Sequence, residues 1–380
     1  ICNKKIEDNM WLSVPLTLYD DGSSTLPKSK LEAEPHISMN PDDRVTKIAT
    51  FIEMWDYFRT YSALSLTDEQ WDNIFIDNIS KLADSKTTEE YVSLLNQILK
   101  VTNNIRSEAW LTKPQKDFTL PFIVDFVDGE VVIIKSLDKQ IEAGDKLISI
   151  GGKNLSKYLE EKTKQYPGNS LVWKQKKAYY NLAEGDFQSE VNLEVVRNGK
   201  KLELPITRNL TNREVHIERP LTLEWLDSNT IYIDGTRFND FEMTKLMANF
   251  KNAKGVIVDL RGESLLSEHF LGFFIDNDIS SYDWTLRTYT NPCKAPIENS
   301  IKGYIKAKQS VLPHNIVFLS NETSVGTSET ILRLVKYYGI GKIVGEPTAG
   351  SYDFMQQKQL PALYNFSFDL YPIKFNTDSQ

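Results

Sequence analysis

The apolar run Asn315-Ile-Val-Phe-Leu-Ser320 leads through Asn321-Glu-Thr-Ser-Val-Gly-Thr-Ser328 into a stretch with Ile331, Leu332, Leu334, Val335 and Tyr338 at helical spacing. The first part is expected as a buried parallel strand and the last as a helix with one apolar stripe. A sharp strand-to-helix turn presents its residues at the carboxyl end of a parallel sheet, where open α/β folds place their sites. It also aims helix N–H groups at whatever sits there, which suits an oxyanion. The chemistry this pattern could do is acyl transfer, with Ser324 and Ser328 as the hydroxyls of the turn. Serines at such places are more often turn and cap groups, and Ser328 is positioned to cap the helix. The same pattern also describes an ordinary strand–helix connection. Four histidines restrict any mechanism that needs an imidazole. His314 lies a strand's length, roughly 20 Å, from the turn, and His36 and His216 fall in irregular segments. His269, downstream of Arg261, is the best spare base, although a helix surface accounts for it as well.

The elements that must position this turn set the rest of the reading. A chain of 380 residues suggests two or three domains. The net charge of −8 argues against a nucleic-acid partner, which needs a clustered basic surface. The locally basic stretch Lys162–Lys177 reads as a solvated helix face. The two cysteines, Cys2 and Cys293, are too few for a disulfide framework or a zinc site, so neither metal nor cofactor is expected. No apolar run reaches the length needed for a membrane-spanning helix. Cys2, followed by Asn3, Lys4 and Lys5, resembles the start of a mature bacterial lipoprotein. A lipid anchor at Cys2 and an extracytoplasmic location are therefore expectations.

Residues 1–40, polar and punctuated by Gly22, Pro27 and Pro35, read as an irregular arm. Residues 41–115 read as helical. Asp42 or Asp43 can cap a first helix carrying Val45, Ile48, Phe51, Ile52, Trp55 and Phe58. A second runs from Asp68 to Ala83, and a third starts near Thr87, where Glu90 completes a capping box. Residues 116–208 change to a β period. Turns are expected at Asp128-Gly129 and Gly151-Gly152, and a hairpin at Asn198-Gly199; a helix is expected over Leu155–Lys164. Residues 209–380 alternate strand and helix, with strands at 230–233, 255–260, 315–320 and 342–345. This is an α/β layer architecture.

Three segments carry a family resemblance: Val256-Ile-Val-Asp-Leu-Arg261, Asn321 to Glu329, and Val344-Gly-Glu-Pro-Thr-Ala-Gly350. In this order they resemble the C-terminal processing (tail-specific) serine peptidases. Gly144-Asp145 with Ile150-Gly-Gly152 is similar to the PDZ-like domain of that family. Trp55-Asp-Tyr-Phe58 and Glu90-Tyr91 look like the helical region of its branch related to retinoid-binding proteins and tricorn proteases. The resemblance implies an α/β core with ClpP/crotonase-like strand–helix layers, an N-terminal helical region and a β-rich PDZ-like domain. Gly144, Asp145, Gly151 and Gly152 would then lie at a peptide-binding edge.

It also implies a serine nucleophile three residues before a glutamate that matches Glu329. That position is Gly326, which has no hydroxyl. One branch of the family takes its base from a lysine, but Ser351 stands there. The other uses a histidine, and the matching stretch Asn103-Asn-Ile-Arg-Ser107 puts Arg106 in its place; guanidinium groups hold their protons and cannot act as general bases. Gly262 and Thr327 fall where backbone N–H groups would serve an oxyanion. The glycine pair of many relatives is replaced here by Gly262-Glu-Ser-Leu-Leu266.

The leading expectation is thus a non-catalytic peptidase homologue that keeps a groove for peptide or unstructured protein. An active serine peptidase using Ser324 or Ser328 with His269 is the first alternative, and Glu329 is a further weak catalytic candidate. A structural assembly component with a vestigial groove is the second.

Overall fold

Helices α1 (Arg44–Tyr61), α2 (Asp68–Ala83) and α3 (Thr88–Leu99) form the N-terminal helical region. The computed structural model describes residues 40–351 apart from 62–65, 104, 112–117, 247–249, 251, 289–296 and 309–314. It also describes strand segments at 2–7, 10–14, 19–20, 25–26, 355–359 and 364–369. His36 and His314 lie outside the described residues. Phe51, Met54 and Phe58 of α1 meet Trp71 of α2 and Tyr91, Leu95 and Leu99 of α3 in one apolar cluster, the packing that their three- and four-residue spacing calls for. Phe51 is fully buried and its ring stacks on Phe75 at 5.5 Å, so Phe51→Ala should cost about 3–5 kcal/mol. The second helix has a capping box, Thr67 with Gln70. The third has half of the expected one: Thr87 accepts from the Glu90 N–H, while the Glu90 carboxylate accepts from the Lys86 N–H.

Residues 1–40 are not irregular throughout. Cys2–Glu7 pairs with Met10–Val14, and Tyr19–Asp20 pairs with Thr25–Leu26.

A second body is a sheet in the order Lys200–Thr207, Glu190–Arg197, Lys146–Ile150, Glu130–Ser136, Phe122–Val127, all antiparallel. Asp128-Gly129 and Asn198-Gly199 all have positive φ, as tight hairpin turns require. Helices α4 (Leu155–Thr163) and α5 (Leu171–Ala183) pack on this sheet through Leu155, Leu159, Ala178, Tyr179 and Ala183. The basic stretch Lys162–Lys177 is a solvated face only in part: Lys164 pairs with Glu160 at the surface, but the end of the stretch turns inward. Lys177 reaches Glu108 at 2.5 Å and lies over the Trp173 ring, and Lys176 is held by Glu322 and Asp125. Between the two helices Gly168 has φ +88°, and a Cβ there would run into Ile105.

The third body is a sheet in the order Leu223–Trp225, Thr230–Asp234, Gly255–Asp259, Ile316–Ser320, Lys342–Gly345, parallel after the first strand. Helix α6 (Asp240–Leu246) follows the second strand and α7 (Thr327–Tyr338) the fourth. Ile331, Leu332, Leu334 and Val335 of α7 are buried against Val256, Val258, Ile316 and Phe318, the burial that the apolar stripe predicts. A long hairpin, Ile279–Thr288 with Ile297–Ile305, and a C-terminal pair, Met355–Gln359 with Tyr364–Asp369, complete the described elements. The last strand pairs with Ala109–Leu111, beyond α3. The fold is therefore α/β with an N-terminal helical region and a β-rich module. None of the described helices is long and apolar enough to cross a membrane.

Candidate active site at the strand-to-helix turn

Gly326 is the N-cap of α7, at the carboxyl edge of the parallel sheet. Its φ of 58° and ψ of −120° form a conformation strained for any residue with a Cβ. Hydrolase nucleophiles are presented on sharp strand-to-helix turns of this kind. The Gly326 N–H donates to the Ser351 carbonyl at 2.7 Å and its carbonyl accepts from the Thr330 N–H at 3.1 Å, so both sides of the turn are pinned.

A Cβ at Gly326 would lie 2.8 Å from Glu263 Oε1 and 3.1 Å from Arg106 Nη2. Those two groups form an ion pair at 2.8 Å, with the Arg106 side chain 12% exposed and Glu263 55%. The space a nucleophilic side chain would take is thus filled by the paired Arg106 and Glu263 side chains. The loop that carries Glu263 is tied down on both sides. Glu263 bridges to Val325 in parallel, Gly262 accepts from the Val325 N–H at 3.4 Å and from Ser328 Oγ at 2.7 Å, and the Leu265 N–H donates to Gly235 at 2.8 Å. The adjoining Asp259-Leu-Arg261 segment is rigid too. Asp259 is fully buried, which opposes its charge, but Arg261 and the Tyr232 hydroxyl hold its carboxyl below the usual range.

The structure brings Gly326, Arg106, Gly262, Thr327 and Glu329 together at the turn. Glu329, in the first turn of α7, accepts from the Gly350 N–H at 2.7 Å and the Ser351 N–H at 2.6 Å. It clamps the 344–351 segment against the turn. Burial pushes its carboxyl up, opposed by hydrogen bonds from Thr348, Gly350 and Ser351 and by the Arg106 charge.

Ser324 Oγ is buried, donating to the Leu260 carbonyl at 2.7 Å and accepting from the Asn321 N–H at 3.1 Å. Ser328 is also buried and does not cap the helix. It is the second helical residue, and its hydroxyl turns to the Gly262 carbonyl. Among the described residues no hydrogen bond joins either serine to a histidine. His269 is exposed on the short 3₁₀ helix Glu268–Phe273, and His216 Nδ1 faces the Arg213 carbonyl at 2.7 Å.

Sequence reasoning put Gly144, Asp145, Gly151 and Gly152 at a peptide edge. Gly144, Gly151 and Gly152 have positive φ and make turns. The Asp145 side chain is 1% exposed and gripped by Arg197 through two 2.7 Å bonds, so it fixes the loop internally and does not face a ligand. Glu263 was missed as a functional neighbour. The signal available was charge complementarity between an acid in the loop after Arg261 and the arginine at position 106.

Residues 229–376 match the sequence model of peptidase family S41. No curated protein sequence matches the chain. Among solved structures, mature CPAF complexed with lactacystin is similar with a TM-score of 0.63 at 12% identity, covering 88% of this chain and 91% of that one. A CPAF point mutant is similar with a TM-score of 0.65 at 12% identity, covering 88% and 90%. At such identities the likeness extends to the fold. The part of the chain that matches peptidase family S41 thus holds the parallel strands from Thr230 onward and the turn that leads into α7.

Proposed function

We propose that this chain is a non-catalytic member of peptidase family S41 that binds peptide or unstructured protein segments without cleaving them. One observation carries the reading: the turn with the geometry of a nucleophile elbow holds glycine, and the Arg106–Glu263 pair stands where the side chain would be. A hydroxyl is lacking at that point, and the nearest basic side chain is a guanidinium that cannot accept a proton. Loss of a catalytic serine alone costs about 10⁶ in turnover. The backbone N–H groups of Gly262 and Thr327 do not depend on the lost side chain, and in this reading they still receive a carbonyl or carboxylate oxygen.

The division into an arm (1–40), a helical region (41–115), a PDZ-like module (116–208) and a peptidase-like core (209–380) belongs to the same proposal. In it, the module takes an extended segment by strand addition at a sheet edge. Its Lys200–Thr207 strand is an edge of that sheet.

The test uses a fluorescently labelled unstructured peptide with the full chain. Anisotropy should rise on binding, mass spectrometry should find the peptide whole after prolonged incubation, and Gly326→Trp should abolish the binding by filling the groove. Cleavage of the peptide, or binding indifferent to Gly326→Trp, would overturn the proposal.

A further inference from the structure

A strand that closes a sheet leaves a row of backbone groups open to pairing, and the Lys200–Thr207 strand is such an edge. The Asn198-Gly199 turn, both residues at positive φ, joins it to Glu190–Arg197 and sets Arg197 opposite Lys200. Beside a two-residue turn, that flanking pair exchanges its hydrogen bonds inside the hairpin, and the pattern then alternates along the ladder. Lys200, Leu202, Leu204 and Ile206 therefore turn their backbone groups inward to the neighbouring strand. Lys201, Glu203 and Pro205 turn theirs outward to the open edge. The Gln140 side-chain amide, which donates to the Pro205 carbonyl at 3.5 Å, agrees with this assignment. The side chains sort the same way: Leu202, Leu204 and Ile206 pack on the module core, and Lys201, Glu203 and Pro205 are exposed.

Lysine and proline on an edge commonly guard against pairing. Here they guard against every register but one. Pro205 has no N–H to offer, and its carbonyl is taken by Gln140, so pairing stops short of it. Lys201 and Glu203 remain as the outward residues. A second copy running antiparallel about Leu202 sets Lys201 against the partner's Glu203 and Glu203 against the partner's Lys201. Each such pair exchanges both of its backbone bonds and joins opposite charges. Centring the copies on Lys201 or on Glu203 instead sets like charges face to face, which destabilises a ladder. Within one chain Glu203 lies directly opposite another acid, Glu194. Lys201 is paired with Glu194 at 2.6 Å, and among the described residues Glu203 forms no ion pair. The partner's Lys201 supplies the missing cation. On the other face Leu202 meets the partner's Leu202 and carries the module's apolar core across the axis.

We propose that this edge is a self-association site: two copies of the chain join their Lys200–Thr207 strands antiparallel about Leu202, making one continuous sheet from two modules. The proposal names the occupant of the edge at which strand addition is placed above and rests on that part of the reading; it is independent of the Gly326 turn. The paired stretch is short, so the dimer is a weak one, forming in the micromolar to millimolar range. Salt weakens it, because the charges that join across the strands are exposed.

The experiment is sedimentation equilibrium on the full chain, over a concentration series at low salt, where dimer should appear at the upper end. Glu203→Lys should weaken association at least about tenfold. That variant keeps the monomer folded, since a cation then faces Glu194, and an undiminished urea midpoint checks this. Lys201→Glu combined with Glu203→Lys inverts both charges and should restore self-association to within about threefold of the unmodified chain. Inverted and unmodified chains should not pair with each other. Leu202→Cys should form a disulfide between copies under mild oxidation, mapped to position 202 by mass spectrometry, because residues at the centre of such a pair bring their Cα atoms to about 4.5 Å. Gly326→Trp should leave the dimer unchanged, which separates this proposal from the reading of the turn. A monomer at every concentration, a dimer indifferent to Glu203→Lys, or free mixing of inverted and unmodified chains would overturn the proposal. Labelled-peptide binding lost in Glu203→Lys would put a peptide on this edge in place of a second copy and would overturn it too.

Discussion

Replacing Gly326 by alanine or serine tests the geometry of the turn directly. At φ 58° and ψ −120° a residue with a Cβ is strained by about 1–3 kcal/mol. The new Cβ would also meet Glu263 Oε1 at 2.8 Å. Glu263 is 55% exposed and can swing away, so loss of its partly solvated ion pair adds no more than about 1 kcal/mol. Opposing this, a Cβ restricts the unfolded chain, which favours folding by about 0.4–1 kcal/mol. The balance is a destabilisation of about 1–3 kcal/mol for Gly326→Ala and a similar value for Gly326→Ser, read as a lowered urea midpoint at unchanged slope. Casein hydrolysis by Gly326→Ser should stay at background, since Arg106 cannot take the hydroxyl proton. A neutral or stabilising Gly326→Ala would refute the strained turn. Hydrolysis by the single serine variant would refute the claim that the base is missing as well.

Further perturbations follow from the same contacts. Gly326→Ser with Arg106→His supplies both chemical groups, and any hydrolysis gained should rise again when Glu263→Gly clears the space beside them, measured with a fluorogenic peptide. Glu329→Ala strands the Gly350 and Ser351 N–H groups and should cost on the order of 2 kcal/mol in urea unfolding. Hydrogen exchange should show the 344–351 segment loosened. Arg197 holds the Asp145 carboxyl below its ordinary value. The stability this contributes is present above the unfolded carboxylate range, about pH 4, and is lost as pH falls through the depressed value. Urea midpoints taken across that interval should show the acid limb, and Asp145→Asn should flatten it.

The helices of the N-terminal region were legible because apolar spacing and cap residues agree. Asp68–Ala83 and the Thr87 cap follow from local sequence alone. The Asp128-Gly129 and Asn198-Gly199 turns were legible for the same reason, since few residue pairs tolerate positive φ twice. The strand–turn–helix at Gly326 was also readable, but only the coordinates reveal that Glu263 and Arg106 meet across it. Those two residues are distant in sequence, and no local pattern encodes their pairing. Helix α5 was hidden by its lysines: a basic run reads as a solvent face until acids such as Glu108 and Glu322, far along the chain, neutralise it. Ser328 was misread because a cap serine and a serine at the second helical position look alike in sequence. Its hydroxyl follows the Gly262 carbonyl, which tertiary contact alone puts within reach. The arm's hairpins and the return of Tyr364–Asp369 to Ala109–Leu111 likewise depend on pairing partners that no local pattern specifies.

The central claim, that the turn lacks a working nucleophile, is tested most directly by incubating the unmodified chain with a fluorophosphonate and measuring its intact mass, with casein hydrolysis followed alongside. The account predicts an unchanged mass and no hydrolysis, because Ser324 and Ser328 are buried and bonded to backbone carbonyls. An adduct mapped to either serine, with hydrolysis abolished by its replacement with alanine, would contradict it.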